Sequence, residues 1–142
     1  MQNKDSNWVF VVSLGSGRPA DGKISYIEVV EDKSRYFHPV GNRWPKEPPN
    51  YIAFRYGGRL RSIHHIETYK VITDVHGEIP ELPHTNWEPH FLYNLGPGFC
   101  PQNEVRTGKI YQSARVWCML DTLFTSRTIS EARDISKQRE GH

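Results

Sequence analysis

Runs of hydrophobic residues along the chain predict a protein built mainly from β-strands. Residues 8–12, Trp-Val-Phe-Val-Val, are β-branched or aromatic and predict a buried first strand. Residues 24–30 and 87–95 have the same character and predict two further strands. Segments rich in glycine, proline and polar residues separate these runs, which is typical of turns and loops.

The clearest local signal is a β-hairpin centred on Gly57 and Gly58. Residues 51–56 and 59–69 flank the two glycines and are rich in residues that favour strands. Two adjacent glycines suit a tight turn whose backbone needs positive φ angles. The pattern therefore predicts two antiparallel strands joined by a short turn.

Two amphipathic segments near the C-terminus predict helices. Residues 114–124 place apolar side chains at helical spacing, and Ser113 is a suitable N-cap. A second helix is expected to begin at Thr128, because Thr-Ile-Ser-Glu has the form of a capping box, and to continue through Ile135.

Strands followed by helices predict one α+β domain that spans residues 1–142. Its sheet is expected to be mostly antiparallel, with roughly five to seven strands. The length of 142 residues and the hydrophobic content of 37% suit one domain with a proper core. We expect the polar segments 1–7 and 137–142 to fray.

Composition adds the expectation of a cytoplasmic protein. No run of apolar residues is long enough for a transmembrane helix, and the N-terminal segment MQNKDSN lacks the apolar core of an export signal. Cys100 and Cys118 do not form a CxxC motif. They predict two reduced thiols rather than a disulfide framework or a zinc site.

The chain lacks the sequence motifs of catalysis and metal binding, so no cofactor and no metal site are predicted. His64 and His65 are neighbours on a predicted strand, where adjacent side chains point to opposite faces and cannot share one metal ion. There is no HExxH or HxH spacing, no G-x-S-x-G elbow and no phosphate-binding loop that ends in Gly-Lys-Ser/Thr. We therefore expect a binding module more than an enzyme.

Basic and aromatic residues concentrate between residues 43 and 66. The net charge is only +2, but four of the 18 Lys and Arg residues are arginines between Arg43 and Arg61. Aromatic rings can stack on bases while cations neutralise phosphates. The predicted nucleic-acid-binding residues are Arg43, Trp44, Tyr51, Arg55, Arg59, Arg61, His64, His65 and Trp87. The alternative is a hairpin that buries its aromatic rings and leaves its arginines in solvent.

The four tryptophans fall into two groups by their surroundings. Trp8 and Trp117 lie in apolar runs and are predicted to belong to the core. Trp44 and Trp87 lie in proline-containing polar loops and are predicted to be exposed or to line a cleft. The alternative is that these loop rings seal the ends of a small barrel.

The order of elements resembles the PUA-like superfamily of small open β-barrels, which includes the PUA, ASCH, EVE and YTH domains. The features that carry the resemblance are the strand 51–56, the Gly57-Gly58 turn, the strand 59–72, the later segment 90–97 and the helix that follows it. The resemblance implies a mostly antiparallel PUA-like open β-barrel with flanking C-terminal helices. It also implies nucleic-acid recognition, often of a modified or extruded base in a cleft on the barrel.

Three functions follow from this resemblance and stay open. The first is a DNA- or RNA-binding module that reads a modified or flipped base and works with a nuclease or another effector, as in bacterial defence. The second is a small hydrolase of modified nucleosides, for which Glu67, Thr68 and Lys70 offer the residue types of some ASCH members. The third is a domain that senses a nucleotide or binds another protein. No membrane partner is expected.

Overall fold

The computed structural model describes residues 7–15, 17–19, 22–41, 44–83, 88–111 and 114–140. Within these ranges the strands are β1 Trp8–Ser13, β2 Arg35–Pro39, β3 Tyr51–Tyr56, β4 Arg59–Ile72, β5 His90–Leu95 and β6 Val116–Met119. The helices are α1 Tyr26–Lys33, α2 Val75–Glu78, α3 Leu120–Thr125 and α4 Ile129–Glu140.

The six strands form a sheet in the order β2-β5-β4-β3-β1-β6. Neighbouring strands are antiparallel except β1 and β3, which run parallel. In the described part of the chain the order has two ends, β2 and β6, so the sheet is unclosed. The prediction of an α+β fold with a mostly antiparallel sheet and C-terminal helices is confirmed.

The chain divides into two compact units that share strand β4. The first unit comprises Met1–Leu14, Pro49–His65 and Pro97–His142, and the second comprises Gly15–Pro48 and Ile66–Gly96. The first unit therefore holds β1, β3, β6, α3 and α4, and the second holds α1, β2, α2 and β5. Each unit has a hydrophobic core made from its own residues.

The core of the first unit lies between its strands and the C-terminal helices. Strand register places Val9 opposite Cys118 and Val11 opposite Val116, so these four side chains share one face of the sheet. They pack with residues of α3 and α4, and the full cluster is Val9, Val11, Ala53, Leu60, Ile63, Val105, Val116, Cys118, Leu123, Ile129 and Ala132.

The core of the second unit joins α1 and α2 to β2 and β5. Its buried residues are Ile24, Val29, Phe37, Val75, Ile79, Leu82 and Leu92. Helix α1 begins with a complete capping box: Ser25 Oγ accepts from the Glu28 N–H, and the Ser25 N–H donates to Glu28 Oε1.

Segment 24–30, predicted as a strand, is helical from Tyr26 onwards, so this prediction was wrong. Its β-branched residues suggested a strand, but the capping box of Ser25 and Glu28 satisfies the N–H groups that a helix start exposes. The same residues then bury Val29 and Val30 on one side of α1.

Segment 114–124, predicted as one helix, forms strand β6 and then helix α3, so this prediction was also wrong. Val116 and Cys118 are buried at alternate positions, as strand pairing with β1 requires. The helix begins only after Met119, which is its N-cap, and the predicted N-cap Ser113 lies outside the described residues.

The hairpin and the last helix match their predictions closely. Gly57 and Gly58 have φ angles of 65° and 81°, the positive values that the turn requires. At the start of α4, Thr128 Oγ1 accepts a hydrogen bond from the Glu131 N–H at 3.1 Å. The helix continues through Glu140, into the segment for which the sequence suggests fraying.

The buried hydroxyl of Ser136 joins β6 to α4. Its Oγ accepts from the Met119 N–H at 2.8 Å and donates to the Ala132 carbonyl at 2.7 Å. We expect Ser136→Ala to lower the free energy of unfolding by about 1–3 kcal/mol, because the Met119 N–H then loses its acceptor. Urea denaturation followed by circular dichroism measures the change.

The matched control for this variant is Gln138→Ala, an exposed position on the same helix. It should change the free energy of unfolding by less than about 0.5 kcal/mol. If Ser136→Ala is no more destabilising than this control, Ser136 does not hold β6 against α4.

Candidate functional site

A cavity of about 510 Å³ lies beside β6 in the first unit. Its lining contains two tryptophans, three basic residues, one acid and one valine: Trp8, Arg115, Val116, Trp117, Arg133, Lys137 and Glu140. These residues come from β1, from β6 with the residue before it, and from α4. The volume lies in the range of pockets that hold small organic ligands.

Strand register brings the two tryptophan rings to the same face. Trp8 and Phe10 are two residues apart on β1, and Phe10 is directly opposite Trp117 on β6. The Phe10 and Trp117 ring centroids are 4.8 Å apart, so a buried ring supports Trp117. Trp8 is therefore the diagonal neighbour of Trp117 across the strand pair.

Helical spacing places the charged residues of the cavity together. Arg133, Lys137 and Glu140 follow an i, i+4, i+7 pattern, so they share one face of α4. Arg133 Nε is 3.1 Å from Asp134 Oδ1, while Lys137 is exposed. Together with Arg115 the lining carries three cations against one carboxylate. Such a cavity attracts anions.

The thiol of Cys118, next to Trp117 on β6, is a core group and not a nucleophile. Burial raises the pKa of Cys118 to about 12. The protonated thiol contacts the Ile129 carbonyl at 3.9 Å and packs in the core of the first unit. Covalent chemistry through Cys118 is therefore not supported.

Two predicted site arginines on the hairpin make contacts within the protein. The Arg61 guanidinium lies 4.7 Å from the Tyr56 ring centroid, and its Nε donates to the Tyr56 carbonyl at 2.8 Å. Arg59 is 3.6 Å from a carboxylate oxygen of Glu104, which also approaches Arg106 at 3.8 Å. Arg59 and Arg106 thus share one carboxylate, and Arg59 keeps an exposed side chain.

The third hairpin arginine, Arg55, has a structural role. Only 5% of its surface is exposed, and its Nη2 donates to the carbonyls of Tyr111 and Ala114 at 2.8 Å each. Burial lowers the pKa of Arg55. These contacts tie Tyr111 and Ala114 to β3, which leaves little of Arg55 for an external phosphate.

The two adjacent histidines differ in exposure, as opposite faces of a strand allow. His64 is buried, and its Nε2 hydrogen-bonds with Ser62 Oγ at 2.9 Å. His65 is exposed, with Nε2 3.0 Å from Asn50 Oδ1. Its ring meets the partly buried Tyr51 edge-on, with centroids 5.3 Å apart. Of the predicted residues, Tyr51 and His65 are thus brought into contact.

Trp44 belongs to the second unit, where it covers a cluster of aromatic residues. Its ring stacks on His38 with centroids 4.8 Å apart and an angle of 8°. His38 is buried and bridges the Pro39 carbonyl and the Tyr93 hydroxyl. Because a carbonyl only accepts, His38 Nδ1 donates to Pro39 and the Tyr93 hydroxyl donates to Nε2. Arg43 and Trp87 lie outside the described residues.

The residues considered for a hydrolase do not line the cavity. Glu67, Thr68 and Lys70 are exposed on β4. Thr68 Oγ1 accepts from Asn94 at 2.6 Å, and Lys70 pairs with Glu78 at 2.7 Å. Exposed groups of this kind lack the burial that tunes catalytic side chains.

The sequence analysis missed the lining of the cavity. Trp8 and Trp117, predicted as core residues, are each partly exposed. The i, i+4 spacing of Arg133 and Lys137 would have been a usable signal, but the last helix was predicted only through Ile135 and Lys137 fell in the segment expected to fray. The spacing could not be connected to Trp117, because β6 was expected to be helical.

Comparisons with family models, with curated proteins and with solved structures gave no match for this chain. Among the described residues, no helix is long and apolar enough to cross a membrane. The same residues contain no group of three or more His, Cys, Asp or Glu placed to hold a metal ion.

The burial of Cys118 predicts a large difference in reactivity between the two cysteines. Cys100 is exposed, whereas Cys118 is buried with a raised pKa. At pH 8 the Cys118 thiol is therefore almost entirely protonated, whereas the thiolate is the form that reacts. We expect iodoacetamide to alkylate Cys100 in the native protein and Cys118 only after denaturation, as measured by peptide mass spectrometry.

The variant Cys100→Ser is the control for this experiment. In its native state it should take up no label, and in denaturant it should take up one. Labelling of native Cys118 at the rate of Cys100 would show that β6 is not packed beneath α4.

Proposed function

We propose that the protein is a nucleic-acid-binding module that holds a nucleotide in the cavity formed by β1, β6 and α4. The observation that carries this proposal is the lining, where Trp8 and Trp117 lie beside Arg115, Arg133 and Lys137. Tryptophan rings stack on bases of any sequence, and Lys and Arg neutralise phosphates. An apolar ligand would gain nothing from three cations.

Single-stranded nucleic acid or an extruded base fits this site better than an intact duplex. A base inside a duplex has both faces stacked and cannot meet a tryptophan in a cavity. The proposal includes a module that reads a modified or flipped base in DNA or RNA and works with a nuclease or another effector. The cavity near β6 then takes the place of the aromatic cleft expected on the hairpin.

A PUA-like architecture is part of the same proposal. The β3–β4 hairpin, its Gly57-Gly58 turn and the antiparallel β4–β5 pair support it. The sheet is unclosed in the described residues, so the kinship is proposed from the order of the strands and not from a barrel.

Sensing of a free nucleotide is the second candidate function. The cavity volume of about 510 Å³ suits one small ligand and favours this alternative over a long groove. The two candidates differ in one observable property. A polymer binder gains affinity with oligonucleotide length, whereas a sensor binds a mononucleotide as tightly as a longer chain.

The proposal predicts salt-dependent binding of single strands through the α4 cations. We expect fluorescence anisotropy to show tighter binding of labelled single-stranded oligonucleotides of about 12 nucleotides than of duplexes. The double variant Arg133→Gln, Lys137→Gln removes two phosphate contacts. It should weaken binding about tenfold and reduce the slope of log K against log salt by about 1.4.

The matched control is Arg139→Gln on the same helix. Arg139 pairs with Asp121 at 2.7 Å and does not line the cavity, so this change removes one positive charge from the same helix outside the cavity. Arg59→Gln, Arg61→Gln tests the hairpin as the alternative phosphate contact. The proposal fails if no oligonucleotide binds at low salt, or if the Arg133 and Lys137 changes weaken binding no more than Arg139→Gln.

A further inference from the structure

We propose that the main chain of Trp117 reads one nucleobase at the open edge of β6, with the attached phosphate at Arg133 and Lys137. This inference rests on the proposed function and specifies the ligand of the same site. The bound unit is a single nucleotide, its base beside the tryptophan rings and its hydrogen-bonding edge against a peptide group.

The Trp117 peptide groups point away from β1. The Met119 N–H donates to Ser136 Oγ on α4 at 2.8 Å and is therefore not directed at β1. In an antiparallel pair, residues whose N–H and C=O face the partner alternate with residues whose groups face away. Trp117 is two residues from Met119, so its N–H and C=O share that outward direction. The Trp117 N–H and C=O thus present one hydrogen-bond donor and one hydrogen-bond acceptor at the sheet edge.

The described strands leave this edge of β6 without a neighbour. Helix α4 closes only the Met119 end, through Ser136. Beyond Met119 the strand gives way to α3, and the Leu120 N–H donates to the Asn7 carbonyl at 2.7 Å. Among the described residues, the part of the β6 edge without a neighbour is therefore centred on Trp117.

An open edge of one residue favours a base over a peptide strand. A strand that adds to a sheet edge gains affinity from several consecutive main-chain hydrogen bonds. Ser136 prevents such a run by occupying the Met119 N–H. A nucleobase needs only a neighbouring donor and acceptor, because its own edge presents the complementary pair.

The rest of the cavity completes the contacts of one nucleotide. The Trp8 and Trp117 rings offer an aromatic surface, and Phe10 supports the Trp117 ring from within the sheet. Arg133 and Lys137, one helical turn apart, carry positive charge on the α4 side. Glu140 on the same helix face disfavours a second phosphate close by.

The test follows tryptophan signals of the isotope-labelled full chain during titration with nucleoside 5′-monophosphates. The chain has four tryptophans, so four indole N–H signals are assigned by single Trp→Phe variants. We expect nucleotides at up to about 10 mM to shift the Trp8 and Trp117 indoles and the Trp117 main-chain amide. The Trp44 indole, which belongs to the second unit, should stay in place.

A comparison of nucleosides, which lack the phosphate, with nucleoside monophosphates tests where the phosphate binds. The wild-type protein should bind the monophosphate about tenfold more tightly than the nucleoside, because the nucleoside lacks the charged group that Arg133 and Lys137 contact. Lys137→Gln should reduce that preference, and Arg139→Gln should keep it. An equal response to both ligands in the wild-type protein would overturn the phosphate placement.

A single-stranded oligonucleotide in the same titration separates this inference from the proposed function. If mononucleotides leave the Trp117 amide and both cavity indoles unshifted, the inference is overturned whatever the oligonucleotide does. An oligonucleotide that then shifts the Trp8 and Trp117 indoles leaves the proposed function standing. If neither ligand shifts these cavity signals, both proposals fail.

Discussion

The pairing of β6 with β1 is the contact on which the rest of the site depends. It sets Val116 and Cys118 opposite Val11 and Val9, and these four side chains form the surface on which α3 and α4 pack. Strand alternation then places Trp117 on the other face, beside Phe10. In this strand of four residues, Val116 and Cys118 are buried in the core of the first unit. Trp117, which lies between them, presents its ring on the opposite face. A register shift of one residue would exchange these roles, burying the tryptophan and exposing the core.

Basic residues of this protein serve two different purposes, and their contacts distinguish them. On the hairpin, Arg55 holds backbone carbonyls and Arg61 lies on the Tyr56 ring, so both guanidinium groups support the local fold. On α4, Arg133 and Lys137 line a cavity that also contains tryptophan. A cluster of arginines in the sequence is therefore a weak indicator of binding, because desolvated guanidinium groups are equally useful as anchors. Cations beside an accessible aromatic ring are the stronger indicator.

The sequence predicted the features that depend on local signals. The Gly57-Gly58 turn and the Thr128 cap depend on residues a few positions apart, and both are present. The capping box of Ser25 and Glu28 was also readable, but the β-branched residues after it favoured a strand prediction. Strand β6 could not be predicted in the same way, because residues 116–124 fit helical spacing and its pairing partner lies at the other end of the chain. The cavity combines β1, β6 and α4, and of its α4 residues only Arg133 lay within the helix that the sequence predicted.

The most direct test of the account is to locate the bound nucleic acid by photo-crosslinking. A single-stranded oligonucleotide with a photoreactive base is irradiated with the wild-type protein, and the cross-linked peptides are identified by mass spectrometry. Binding in the cavity predicts cross-links on the peptides that contain Trp8 and Trp117, which both line it. Cross-links confined to the hairpin residues 51–65, or to the peptide that contains Trp44, would contradict it.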